Sequence, residues 1–184
     1  MTMKIIDLSP PLYDGMPVYP GDPEVEIKQV HTLEKEGWRL RTLSMPGHIG
    51  SHVDAFSHMD PEGKTLSEMP LTKFFGQAVV VKPGDNYPKN LGLVFSTAGE
   101  LGVDQLKSLT KTNPPFVVVG NGGQGSSSMS VELEKGLLKS GIVTFTDLIN
   151  LDKLPKNKPF MFYGLPLNIR DGDGSPIRAV AMVE

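Results

Sequence analysis

Residues 114–120 read Pro114-Pro115-Phe116-Val117-Val118-Val119-Gly120. A proline pair, an unbroken β-branched run and a closing glycine describe a short strand with no polar face. Such a strand is covered on both sides, as in the middle of a sheet flanked by other layers. Ala78–Val81 repeats the pattern. Working outward, Lys4–Leu8, Ile142–Phe145, Pro159–Tyr163 and Ala179–Val183 are further strand candidates. Val25–Val30 and Leu40–Met45 follow the two-residue period of half-solvated strands. Helical signals are fewer and late. One is Val103–Leu109 with Asp104 as its cap. The other is Val131–Ser140, where Ser130 caps the start, Leu133, Leu137 and Leu138 share a face, and Gly141 follows the last turn. The expected class is α/β, a mixed sheet with few helices.

A length of 184 residues fits a single domain, 1–184. The 20 glycines and 16 prolines fall between apolar runs as punctuation, without a repeat or a linker. Lys and Arg number 18 against 21 Asp and Glu, a net charge of −3, and the four arginines (39, 41, 170, 178) form no basic stripe for nucleic acid. No apolar stretch approaches the ~18 residues of a membrane span. The opening also lacks the basic-then-apolar order of a signal peptide, so a cytoplasmic protein is expected. The chain has no cysteine, which excludes disulfides, thiolate zinc sites and cysteine nucleophiles.

Histidine is the informative residue. Of four, three fall inside Gly47-His48-Ile49-Gly50-Ser51-His52-Val53-Asp54-Ala55-Phe56-Ser57-His58. Imidazoles with an interleaved carboxylate suit zinc, manganese or iron. Positions 48, 52, 54 and 58 share parity, but a straight strand rising ~3.3 Å per residue would hold 48 and 52 about 13 Å apart. Two ligands of one ion require the chain to bend between them, and Gly47 and Gly50 allow that. Spacing leaves open which imidazoles bind and which works as an acid or base; His58, furthest beyond Asp54, is the candidate to stay free.

The segment resembles the signature of the cyclase-like metal hydrolases, the family of bacterial kynurenine formamidases and isatin hydrolases, with Ser51 and Phe56 as departures. Further matching stretches are Ile6-Asp7-Leu8-Ser9, Pro17-Val18-Tyr19-Pro20-Gly21-Asp22-Pro23, Leu148–Asp152, Leu165-Pro166-Leu167 and Gly174–Ala181. The resemblance implies a swivelling β/β/α domain, assembled into homo-oligomers, that hydrolyses amide, formamide or cyclic amide bonds of a small molecule. It implies a divalent metal, zinc or manganese, on His48, His52 and Asp54, with His58 as catalytic acid/base. Water on such an ion has its pKa lowered toward ~7. The family's second ion uses a later histidine and a glutamate. Here those places hold Glu134 and Thr146-Asp147, and no histidine follows His58. Glu134 and Asp147 are candidate replacement ligands, although a helix-face glutamate is by default solvated. A member lacking these ligands could bind a metal or small molecule without turnover.

Gly120-Asn121-Gly122-Gly123-Gln124-Gly125 matches the dinucleotide-binding pattern G-x-G-x-x-G. Four residues separate its last glycine from the helix, and too little chain follows for that fold, so a surface loop is the preferred reading. Trp38, Phe56, Phe74 and Phe75 are candidates for an aromatic pocket or, equally, for core. His31 is expected at the surface, and Arg178 is expected to pair with Asp171 or Asp173.

Overall fold

The computed structural model describes residues 2–96, 100–120, 129–156 and 158–184. Its strands are β1 (Lys4–Asp7), β2 (Glu26–His31), β3 (Leu40–Ser44), β4 (His52–Asp54), β5 (Phe75–Val81), β6 (Gly92–Phe95), β7 (Phe116–Gly120), β8 (Val143–Leu148), β9 (Phe160–Tyr163), β10 (Gly174–Pro176) and β11 (Val180–Val183). The helices are α1 (Leu106–Thr112), entered through a 3-10 turn at Val103–Gln105, and α2 (Val131–Lys139). Nine strands form one mixed sheet in the order β1-β11-β9-β5-β6-β7-β8-β4-β10, and β2 and β3 pair as a separate hairpin. The expected α/β class with few helices holds.

The β7 run behaves as its composition requires. Phe116 and Val118 belong to one apolar core and Val117 and Val119 to a second, so successive side chains fill opposite faces of the sheet. In the first core Phe116, Phe145 and Phe162 pack at ring separations of 5.0 to 5.6 Å, a spacing at which edge-to-face pairs add to plain burial. The second core lies under α2, whose Leu133 and Leu137 are fully buried. Ser130 caps α2 by accepting the Leu133 N–H at 3.3 Å, as its position predicted. Asp104 does not cap α1; it lies inside the 3-10 turn that leads into it.

Three strands escape the sequence pattern: β6, β4 and β10, the last two only three residues long. Arg178 pairs with Asp7 at 2.5 and 2.8 Å, not with Asp171 or Asp173; pairing of β1 with β11 brings the N-terminal strand beside it. His31 is half-buried, edge-on to Trp38 at 5.5 Å. No helix among the described residues is long and apolar enough to cross a membrane.

Candidate metal centre

The site is organised by β4, which runs antiparallel between β8 and β10. Its register sets His52 opposite Thr146, Val53 opposite Phe145 and Asp54 opposite Thr144. Alternation then sends Val53 and Phe145 into the core and leaves His52, Asp54, Thr144 and Thr146 on the other face. Before β4 the chain turns at Gly50, which sits at φ +57 and makes the bend that the histidine spacing demands. That bend brings the His48 and His52 rings to 5.4 Å, edge to face. After β4, a 3-10 turn over Phe56–His58 carries the His58 ring back to 4.0 Å from that of His48.

His48, His52 and Asp54 each bring a donor atom to within 4.8 Å of the others. His48 Nδ1 lies 2.7 Å and His52 Nε2 3.6 Å from Asp54 Oδ1. A first-row ion takes such ligands at about 2.0–2.2 Å, which asks for donors roughly 3–4 Å apart; the 3.6 Å pair meets this, and the 2.7 Å pair, a hydrogen bond here, would have to open slightly. Tautomer logic supports Nε2 as the ligand atom of His52. The Gly50 carbonyl, 2.7 Å from His52 Nδ1, can only accept, so that nitrogen carries the hydrogen and Nε2 presents its lone pair. Thr146 Oγ1, 2.8 Å away, donates to that lone pair here and would yield it to an ion. The residues present therefore fit a divalent ion.

Behind the cluster lies a buried acid network. Asp54 is 1% exposed and Glu134 8%. Thr144 Oγ1 stands 3.0 Å from Asp54 Oδ2 and 3.0 Å from Glu134 Oε1. The hydroxyl has one hydrogen, so satisfying both contacts requires a proton on one carboxyl. Burial, reinforced by the negative charge of Asp54 and a hydrogen bond with it, pushes Glu134 up to about 8, making it the proton carrier. Burial works against the charge on Asp54 too, but His52 and His48 outweigh it and hold that carboxyl below its usual range. Glu134 is thus not the solvated helix-face residue that sequence suggested. It lies three and four residues before Leu137 and Leu138, on the stripe that faces the sheet. Position alone could have flagged it.

Asp147, the other candidate second-site residue, also reaches the cluster. Its Oδ2 is 4.0 Å from His52 Nδ1, its Oδ1 is buried without a hydrogen-bond partner, and its backbone is left-handed at φ +60. Burial raises its pKa against the pull of His52, with Asp54 adding to the rise.

One member of the cluster had no sequence signal. Asp173 Oδ2 is 3.0 Å from His48 Nε2 and 3.5 Å from His58 Nδ1. It arrives from the far end of the chain, on the residue before β10. Burial opposes protonation of His48, yet Asp54 and Asp173 together push it up to about 9. Burial, then the neighbouring His48 charge, lowers His58 below the ordinary histidine value.

These groups open onto a cavity of about 710 Å³ whose apolar wall includes Tyr13, Met16, Val18, Met59 and Met129. The aromatic pocket candidates lie elsewhere. Phe74 is core, Phe56 packs against that core, Phe75 stacks on Tyr163 at 6.0 Å, and Trp38 is 57% exposed on the hairpin side. The glycine-rich motif, Gly120 apart, lies outside the described residues.

The sequence model of the family described as Putative cyclase matches residues 6–115, more than half of the chain, and the chain belongs to that family. It is 24% identical to a kynurenine formamidase of Paracidovorax citrulli, with 95% of this chain and 94% of the relative covered. It is 27% identical to a kynurenine formamidase of Salinibacter ruber, covering 97% of each. Among solved structures, isatin hydrolase A from Labrenzia aggregata, bound to benzyl benzoate, superposes with a TM-score of 0.81 at 22% identity over 98% of this chain and 94% of that one. A potential metal-dependent hydrolase with cyclase activity gives 0.79 at 21% identity, covering 100% and 99%. These likenesses establish the fold.

Proposed function

We propose that this chain is a metal-dependent hydrolase of amide, formamide or cyclic amide bonds, of the arylformamidase type. The observation that carries the reading is the convergence of His48 Nδ1, His52 Nε2 and Asp54 Oδ1 on the wall of a substrate-sized cavity, with His58 beside them. Similarity to kynurenine formamidases along almost the whole chain supports the reaction class.

A divalent ion, zinc or manganese by its donor set, held by these three side chains supplies polarisation of a substrate carbonyl and acidification of water. The remaining work belongs to the chain. The methionine and tyrosine side chains of the cavity wall hold the apolar body of the substrate and exclude bulk water. Burial holds the His58 pKa below the ordinary histidine value, so the ring is available as a base. It accepts a proton from the attacking water and delivers it to the leaving nitrogen as the carbon–nitrogen bond breaks.

The test is metal analysis of the purified protein joined to assays on N-formylkynurenine, isatin and simple esters. Bound metal with hydrolysis of a carbon–nitrogen substrate is the expected result. Bound metal with no hydrolysis favours a non-catalytic, ligand-binding member of the fold. A homo-oligomer belongs to the same reading, supported by the β2–β3 hairpin, which exposes Val30, Trp38, Leu40 and Leu43. Light scattering coupled to size exclusion checks it.

A further inference from the structure

Asp173 sits outside the three candidate ligands, yet it touches two of the three histidines. Its placement is fixed by backbone. Its carbonyl accepts the Ala55 N–H at 2.8 Å, and the next residue, Gly174, is in register with Asp54 across the β10–β4 pair. Gly174 also lies flat against the His48 imidazole; a Cβ there would fall 2.2 Å from His48 Cε1. The strand that delivers Asp173 therefore forms the floor under the ring that Asp173 holds.

The His48 ring is engaged at both nitrogens. Nδ1 faces Asp54 and the donor cluster at 2.7 Å, and Nε2 faces Asp173 Oδ2 at 3.0 Å. A neutral imidazole carries one hydrogen. If Nδ1 is to offer a lone pair to an ion, that hydrogen is on Nε2, where a carboxylate accepts it. His52 shows the same logic with the opposite nitrogen, its Nδ1 hydrogen accepted by the Gly50 carbonyl. Asp173 Oδ2 is in addition 3.5 Å from His58 Nδ1, and the His48 and His58 rings lie 4.0 Å apart at an interplanar angle of 32°. One oxygen spans the outer ends of both rings.

We infer that Asp173 is a positioning residue, which fixes the Nε2–H tautomer of His48 for metal binding through Nδ1 and orients His58 toward the substrate, without itself being a ligand. The inference rests on the proposed metal site. Loss of such an outer carboxylate weakens metal affinity by about 10–100-fold in known sites.

The test uses the full chain stripped of metal and titrated with zinc alone or cobalt(II) alone, as wild type, Asp173→Asn, Asp173→Glu and Asp54→Ala. Expected for Asp173→Asn is a 10–100-fold loss of zinc affinity against a competing chelator. Its melting temperature without metal should fall by no more than about 2–4 °C, the worth of one partly exposed ion pair to His48, and its cobalt(II) absorption bands should match wild type. Asp173→Glu should recover part of the affinity. Ring ¹H–¹⁵N spectra of the zinc-loaded wild type should place the His48 hydrogen on Nε2. Wild-type affinity in Asp173→Asn, or the hydrogen on Nδ1, overturns the inference while leaving the metal site standing. Changed cobalt(II) bands overturn it by making Asp173 a ligand. Zinc uptake that is equal in wild type and Asp54→Ala defeats the metal site itself, and the inference falls with it.

Discussion

The two carboxylates that flank His48 occupy opposite environments. Asp54 is buried on β4, one strand in from the sheet edge, with Thr144 and Glu134 packed behind it. Asp173 has a side chain 59% exposed at the cavity mouth, beside His58. The inner wall holds charge in a low-dielectric setting, where each polar partner matters. The outer rim is open to water, where a proton can be taken up and released during turnover. On the proposed function, the inner wall would bind the ion and the rim would move protons.

The largest expected effect falls on the inner wall. Asp54→Ala should reduce bound metal to background in elemental analysis and hydrolysis with it. It also strips His48 and Thr144 of a partner, at a cost of about 1–3 kcal/mol of stability. Normal metal content in that variant would break the division between wall and rim. Next comes His58→Ala, which should keep its metal and lose about 10²–10⁴-fold in kcat. Because burial lowers the His58 pKa, the acid limb of the wild-type kcat/KM profile should lie below 6.5, and that limb should vanish in the variant.

Thr144→Val should cost about 1–3 kcal/mol in urea unfolding, since it leaves two buried carboxyl oxygens unpaired. An unchanged midpoint would show that the network behind Asp54 carries little. The smallest effect is expected for Glu134→Gln in metal-free protein at pH 5, because the amide imitates the protonated acid. The sign at higher pH follows from linkage. Glu134 is raised from 4.5 to about 8 in the fold, so its contribution is fully present below 4.5 and is lost as pH rises through 8. Wild type should therefore lose stability between pH 5 and 8, and Glu134→Gln should lose less. Parallel slopes in urea melts would refute the protonated state.

What the sequence disclosed and what it withheld divide along the same line. His48, His52, Asp54 and His58 lie close together in the chain, so one bend that the glycines allow is enough to bring them together. β7 was legible because a run of β-branched residues has no solvent-facing alternative. The roles of Thr144 and Asp173 stayed hidden because strand pairing, set by the whole sheet, brings them from 90 or more residues away. β4 and β10 stayed hidden because three residues are too few to show a period, and β10 ends in proline. The Glu134 position was readable in principle, since the helical stripe that buries Leu137 and Leu138 includes it. The usual preference of glutamate for water argued the other way.

β10 has one more consequence. It is the outermost strand on the β4 side of the nine-stranded sheet. A bare sheet edge is a template onto which another polypeptide can add and seed fibrous aggregation. Three residues offer little length for such an addition, and Pro176 has no N–H to give it. The shortness that hid β10 thus leaves little edge for templated self-association.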